Sequence, residues 1–235
     1  RPAYFGSSAF IDFIHSLQLD ISGADISFAA PLSFDAEIKK GDIRVSDMFN
    51  LYKYENMLYV MKLSGKEIKD FLEESYYMWT NQMKSPEDHL LWLKEKRRAG
   101  AEDRASFQNF SFNFDSAAGI IYTVDVTRPK GEKVTIVSMA DGSPFRMDHI
   151  YKVALNSYRG NGGGELLTKG SGIPQEKLKE RIIFSTDKDL RFYLMQYIEK
   201  KGTLDPRALN QWKFVPEEWV KPAAERDYEY LFGGK

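Results

Sequence analysis

Between Ser8 and Leu19, the apolar residues Phe10, Ile11, Phe13, Ile14, Leu17 and Leu19 recur at helical spacing, and Ser7 or Ser8 stands where an N-cap belongs. The period then shortens. Asp25–Pro31 reads as a strand stopped by proline, and Asp42–Val45 as another, after which Ser46 would cap a short helix through Leu51. Met57–Leu63 is apolar enough for a central strand. Directly after it, Ser64 and Glu67 have the spacing of a capping box, in which each side chain satisfies the other residue's backbone N–H. The helix that opens there carries Ile68, Phe71, Leu72, Ser75 and Trp79 on one face.

Residues 81–106 break the pattern. They are rich in Lys, Glu and Arg around a short apolar core (His89 to Leu93) and read as a partly helical charged insertion with a solvated face. Strand character returns at Phe110–Phe114, Gly119–Thr127 and Val134–Ser138, the last two joined by a turn at Pro129–Glu132. Tyr151–Asn156 and Arg181–Phe184 are further strands. A second capped helix is expected from Thr186, with Asp189 at its third position, through Leu190, Leu194, Tyr197 and Ile198 to Gly202. Lys200 and Lys201 suit the dipole at its end. The last 30 residues scatter Trp212, Phe214, Trp219, Tyr228, Tyr230 and Phe232 among prolines and charges, and are expected to wrap the surface. Helices and strands alternate without a strict βαβ rhythm, which predicts an α+β (or α/β) fold with a mixed β-sheet and flanking helices.

Composition narrows the chemistry. The 235 residues are 43% hydrophobic, enough for a sizeable core, and one domain over 1–235 is expected. The 33 basic and 34 acidic residues cancel, so no overall field favours a nucleic-acid polymer or an anionic membrane. Without cysteine there is neither a disulfide nor a thiolate zinc site. No apolar run reaches the roughly 18 residues of a membrane span. The chain opens at Arg1 with no recognisable signal peptide, and sequence upstream of it is expected. Its three histidines, His15, His89 and His149, lie in no metal-ligand spacing. There is no Gly-x-Ser-x-Gly elbow, Walker loop or dinucleotide fingerprint either. No catalytic or metal-ligating residue is assigned, and the chain by itself is expected to be inactive.

Binding is better supported. The strand-like run to Leu155 feeds into Asn156-Ser157-Tyr158-Arg159-Gly160-Asn161-Gly162-Gly163-Gly164, so an aromatic ring stands at a strand end beside a glycine loop that a ligand could approach closely. Leu51-Tyr52-Lys53-Tyr54-Glu55-Asn56 places a second aromatic cluster at a helix-to-strand junction. Tyr54 and Tyr158 could sandwich a nucleobase, each stacked face contributing on the order of 1–3 kcal/mol. They could equally be half-buried packing residues.

Three ordered stretches, Ser27–Glu73, Phe112–Pro129 and Tyr151–Leu167, resemble the C-terminal domain of the 5′-nucleotidase family. The nearest resemblance is to the branch of bacterial periplasmic 2′,3′-cyclic-nucleotide 2′-phosphodiesterase/3′-nucleotidases. It rests on Leu51-Tyr52-x-Tyr54-x-Asn56, on Asn113-Phe114-Asp115 with Gly119 and Tyr122 in register, and on Asn156-x-Tyr158-Arg159-x-x-Gly162-Gly163-Gly164.

The resemblance implies a substrate-specificity domain whose partner is an N-terminal metallophosphoesterase domain of the same polypeptide. That domain would carry two divalent metal ions and the phosphoric-ester hydrolysis. Tyr54 and Tyr158 would be the base-stacking pair, Gly119 would line the base edge, and Asn161, Gly162 and Gly163 would shape the loop near the sugar. The ligand would be a nucleotide or nucleoside and the location periplasmic or in the cell envelope. Residues 206–235 would be a C-terminal extension. Two departures weigh against a 5′-nucleotide: Ser27–Leu32 lacks the phosphate-binding arginine, and Gly164 stands where an acidic residue would grip the ribose. The rival reading is a protein-interaction domain that kept the fold and lost nucleotide binding.

Overall fold

The computed structural model describes residues 2–32, 40–94 and 106–233. Residues 33–39 of the first family-like stretch and 95–105 of the charged insertion lie outside them. Among the described residues eight strands form two sheets. The larger contains β1 (Ile26–Ala29), β2 (Met57–Ser64), β3 (Ser116–Ala118), β6 (Ile150–Asn156) and β7 (Ile182–Asp189), in the order β3-β1-β6-β2-β7. It is mixed: β1 runs parallel to β6, and the other pairs are antiparallel. The smaller sheet, ordered β5-β4-β8, contains β4 (Ile120–Asp125), β5 (Val134–Met139) and β8 (Trp212–Val215).

Side-chain alternation divides the core across the larger sheet. Ile26, Phe28, Met61, Leu63, Val153 and Leu155 face α3 (Gly65–Trp79) and the smaller sheet. Ala29, Leu58 and Ala154 face α1 (Ala9–Ser22) and α6 (Leu190–Lys201). Helix α1 starts where Ser8 Oγ accepts the Ile11 N–H, and α3 where the Ser64–Glu67 box forms as the spacing requires. The face of α3 carrying Phe71, Tyr76 and Trp79 is buried; Phe71 stacks on Phe28 at 4.0 Å and Trp79 on Phe114 at 5.5 Å.

Several expectations change. Asp42–Val45 is not a strand; α2 (Val45–Leu51) starts there with Ser46 inside its first turn, and Asp47 in that turn reaches back to accept the Arg44 N–H at 2.7 Å. Residues 81–94 contain no helix; they are tied by antiparallel bridges, Thr80 to Leu91 and Leu93 to Phe107. Phe110–Phe114 is not a strand either, but a 3₁₀ turn over Ser111–Asn113. Thr186 does not open a helix. Strand β7 runs on to Asp189, which is the cap of α6, while Thr186 Oγ1 accepts the Leu58 N–H at 3.0 Å. The aromatic tail does not merely wrap the surface: Trp212 and Phe214 sit in the core on β8, parallel to β4. Helix α7 (Glu217–Phe232) then docks on residues 86–91, where Asp227 accepts the Leu91 N–H and pairs with His89.

Candidate functional site

Strand register brings Tyr54 and Tyr158 to one end of the larger sheet. Leu58 of β2 pairs with Asn156, the last residue of β6, and the Met57 N–H donates to Ser157 Oγ at 3.1 Å. The loop before β2 and the turn after β6 are therefore stitched side by side. Tyr54 and Tyr158 are 40% and 43% exposed, so neither is plugged into the core; Tyr52 is the buried member of its cluster. The Tyr54 loop is anchored from α6, where Arg191 pairs with Glu55 at 3.2 Å and the Leu190 N–H donates to the Asn56 carbonyl at 2.8 Å.

Tyr158 lies in the short helix α4 (Ser157–Gly160), which Asn156 opens by accepting the Arg159 N–H at 2.9 Å. Its ring rests against Gly163, where a Cβ would come within 2.5–2.7 Å of three ring carbons. Side-chain absence at that position makes the contact possible. Gly162 and Gly164 both have positive φ (93° and 70°), and Asn161 closes the turn with its carbonyl on Gln175 Nε2 at 2.9 Å. Asn161, Gly162 and Gly163 thus form the loop beside Tyr158. Gly119 does not join them. It pairs beyond Ala118 against the start of β1, whereas Ser116 at the other end of β3 lies nearer Asn156. With φ at 94° and its N–H on Gln211 Oε1 at 2.9 Å, Gly119 is the corner where the chain leaves one sheet for the other.

What composition and spacing did not single out is Arg159. It is 1% exposed, yet its guanidinium bonds to four groups on two loops. Nη2 donates to Asp115 Oδ2 at 2.5 Å and to the Phe112 carbonyl at 2.9 Å; Nη1 donates to Asn113 Oδ1 at 3.2 Å and to the Gly163 carbonyl. One buried cation therefore fastens the Phe112–Asp115 turn to the glycine loop. Burial pushes the Asp115 carboxyl above the ordinary aspartate range, against the pull of Arg159. The same guanidinium crowds Gly164: a Cβ there would come within 2.3 Å of it and 2.2 Å of Asn113 Oδ1 at a φ of 70°, so any side chain would be strained and would displace these groups. Arg159 and Asp115 both stand in the family-like stretches, but only the fold reveals them as a pair.

Beside this frame Phe112 stands perpendicular to Tyr158, with ring centroids 6.2 Å apart and an interplanar angle of 85°. The result is an open, aromatic, glycine-backed shelf. Among the described residues no group of three or more His, Asp or Glu could hold a metal ion, and no helix is long and apolar enough to cross a membrane.

Comparison with known proteins agrees with this architecture. Residues 1–169 match the family described as 5′-nucleotidase, C-terminal domain, and the chain belongs to that family. It is 29% identical over 225 residues to the trifunctional nucleotide phosphoesterase protein YfkN of Bacillus subtilis, covering 86% of this chain and 14% of that one. It is also 29% identical over 205 residues to a 2′,3′-cyclic-nucleotide 2′-phosphodiesterase/3′-nucleotidase of Salmonella typhimurium, covering 79% and 28%. A solved 5′-nucleotidase precursor from Thermus thermophilus shares the fold, with a TM-score of 0.62 at 21% identity, over 87% of this chain and 34% of the other. The chain thus spans about a third or less of each of these proteins.

Proposed function

We propose that this chain is the substrate-binding part of a larger metallophosphoesterase, and that it holds a nucleoside or nucleotide between Tyr54 and Tyr158. The observation that carries the reading is the placement of two half-exposed tyrosines at one strand end, one of them braced by Gly163 and Arg159. Hydrolysis would belong to the remainder of the polypeptide, where an N-terminal domain would hold two divalent metal ions. The names of the relatives support a nucleotide substrate. The absence of arginine from Ser27–Leu32, and the guanidinium that crowds Gly164, favour the cyclic-nucleotide branch over a 5′-nucleotidase. A periplasmic or cell-envelope location is part of the same reading; a Thermus structure-relative named as a precursor supports it.

Stacking acts almost equally on ground state and transition state. Tyr158→Ala in the complete enzyme should therefore raise KM roughly tenfold or more, the range that one base-stacking ring supplies, and leave kcat nearly unchanged. A large fall in kcat at unchanged KM would contradict the assignment.

A further inference from the structure

We propose that Phe112 and Phe110 form a third aromatic side of this site and make it prefer purines to pyrimidines, an inference that rests on the base-stacking reading above. Phe110 is 71% exposed, the most open of the large apolar side chains among the described residues. It lies parallel to Phe112, with centroids 5.1 Å apart and an interplanar angle of 9°, and Phe112 in turn abuts Tyr158. The three rings form one continuous apolar surface that begins at the phenol and extends away from it.

This exposure is held in place by the fold. Asn109 Nδ2 donates to the Met78 carbonyl at 2.8 Å, the Asn113 N–H to the Phe110 carbonyl at 3.0 Å, and Arg159 to the Phe112 carbonyl. Ser75 Oγ donates to the Asp115 carbonyl at 2.7 Å from helix α3. An apolar ring kept in water by so many fastenings gains nothing from the fold itself, which is how a ligand-facing side chain differs from a packing one. Tyr158 offers a single six-membered ring as a platform, so a pyrimidine is fully served by it. The second ring of a purine extends past the phenol, and Phe112 with Phe110 is the apolar surface next to it. Because Phe112 stands perpendicular to Tyr158, a base stacked on the phenol meets it edge to face, and the discrimination works through that apolar contact area, these two side chains carrying no hydrogen-bonding group to read a base edge.

The test is calorimetric titration of the protein carrying this chain with adenosine and with cytidine, for the parent, Phe110→Ala, Phe112→Leu and Tyr158→Ala. Nucleosides carry no phosphate, so turnover does not interfere. Phe110→Ala and Phe112→Leu are each expected to weaken adenosine roughly fivefold, within the range of one aromatic pair, and cytidine less than twofold. Equal losses for both nucleosides, or no loss for either, would overturn the purine preference while Tyr158→Ala still weakens both. If Tyr158→Ala leaves both affinities untouched, the base site itself is wrong and the third side falls with it. Phe110 is exposed, so its truncation leaves a folded protein on which every arm can be read.

Discussion

Lowering the pH from 7 to 5 should destabilise the folded chain through one buried histidine. His15 is fully buried on α1; Nδ1 lies 2.9 Å from Ser27 Oγ and Nε2 3.1 Å from Ser116 Oγ. Gln18 Nε2 also donates to Ser27 Oγ at 2.7 Å, so that hydroxyl's proton is free to point at Nδ1, and Nε2 then carries the ring's hydrogen. Burial pushes the His15 pKa from its ordinary 6.5 down to about 3. The folded state therefore binds fewer protons than the unfolded one across this window. Stability is complete above pH 6.5 and is lost as pH falls towards 3. At pH 5 the unfolded histidine is protonated about thirtyfold over neutral while the folded one stays neutral, which amounts to about 2 kcal/mol. Asp12 and Asp227, both raised by burial, bend the curve in the opposite sense, so the comparison must be made against His15→Gln. Urea unfolding of both proteins at pH 7 and pH 5 is the assay. The parent should lose about 2 kcal/mol more than the variant between the two. Parallel losses, or a His15 ring resonance that titrates near pH 6.5, would refute the reasoning.

Two further outcomes follow from buried charge. Glu73 accepts backbone N–H groups from Gly131 at 2.8 Å, Lys133 at 3.2 Å and Val134 at 2.8 Å, so Glu73→Ala should cost about 3 kcal/mol in urea unfolding and speed hydrogen exchange at those three amides. Arg159→Met should cost about 3–5 kcal/mol by leaving Asp115 buried without its cation, and adding Asp115→Asn should recover a substantial part of that in a double-mutant cycle.

Much of this architecture could be read along the chain because the signals were local. The Ser64–Glu67 box and the apolar faces of α1 and α3 need only the chain's own periodicity, and β2 and β6 declare themselves by near-continuous apolar runs. The misreadings share a different cause. Ser185–Asp189 looks polar and cap-like because β7 is an edge strand, and its pairing with β2 cannot be seen locally. The turn at Ser111–Asn113 resembles a strand because its carbonyl partner, Arg159, lies far along the chain. Trp212 and Phe214 enter the core only because β4 offers them a parallel edge. The positions of Tyr54 and Tyr158 beside strand ends could be read along the chain. The guanidinium that braces one of them, and the corner position of Gly119, emerge only when distant segments meet.

The base-stacking claim is tested most directly by ring carbon–proton spectra of the tyrosine-labelled protein, recorded while adenosine is added to millimolar concentration. The Tyr54 and Tyr158 ring signals should shift together and saturate on a single binding curve, with buried Tyr76 and Tyr122 unmoved. If both rings stay still while the spectrum remains that of a folded protein, no base lies between them.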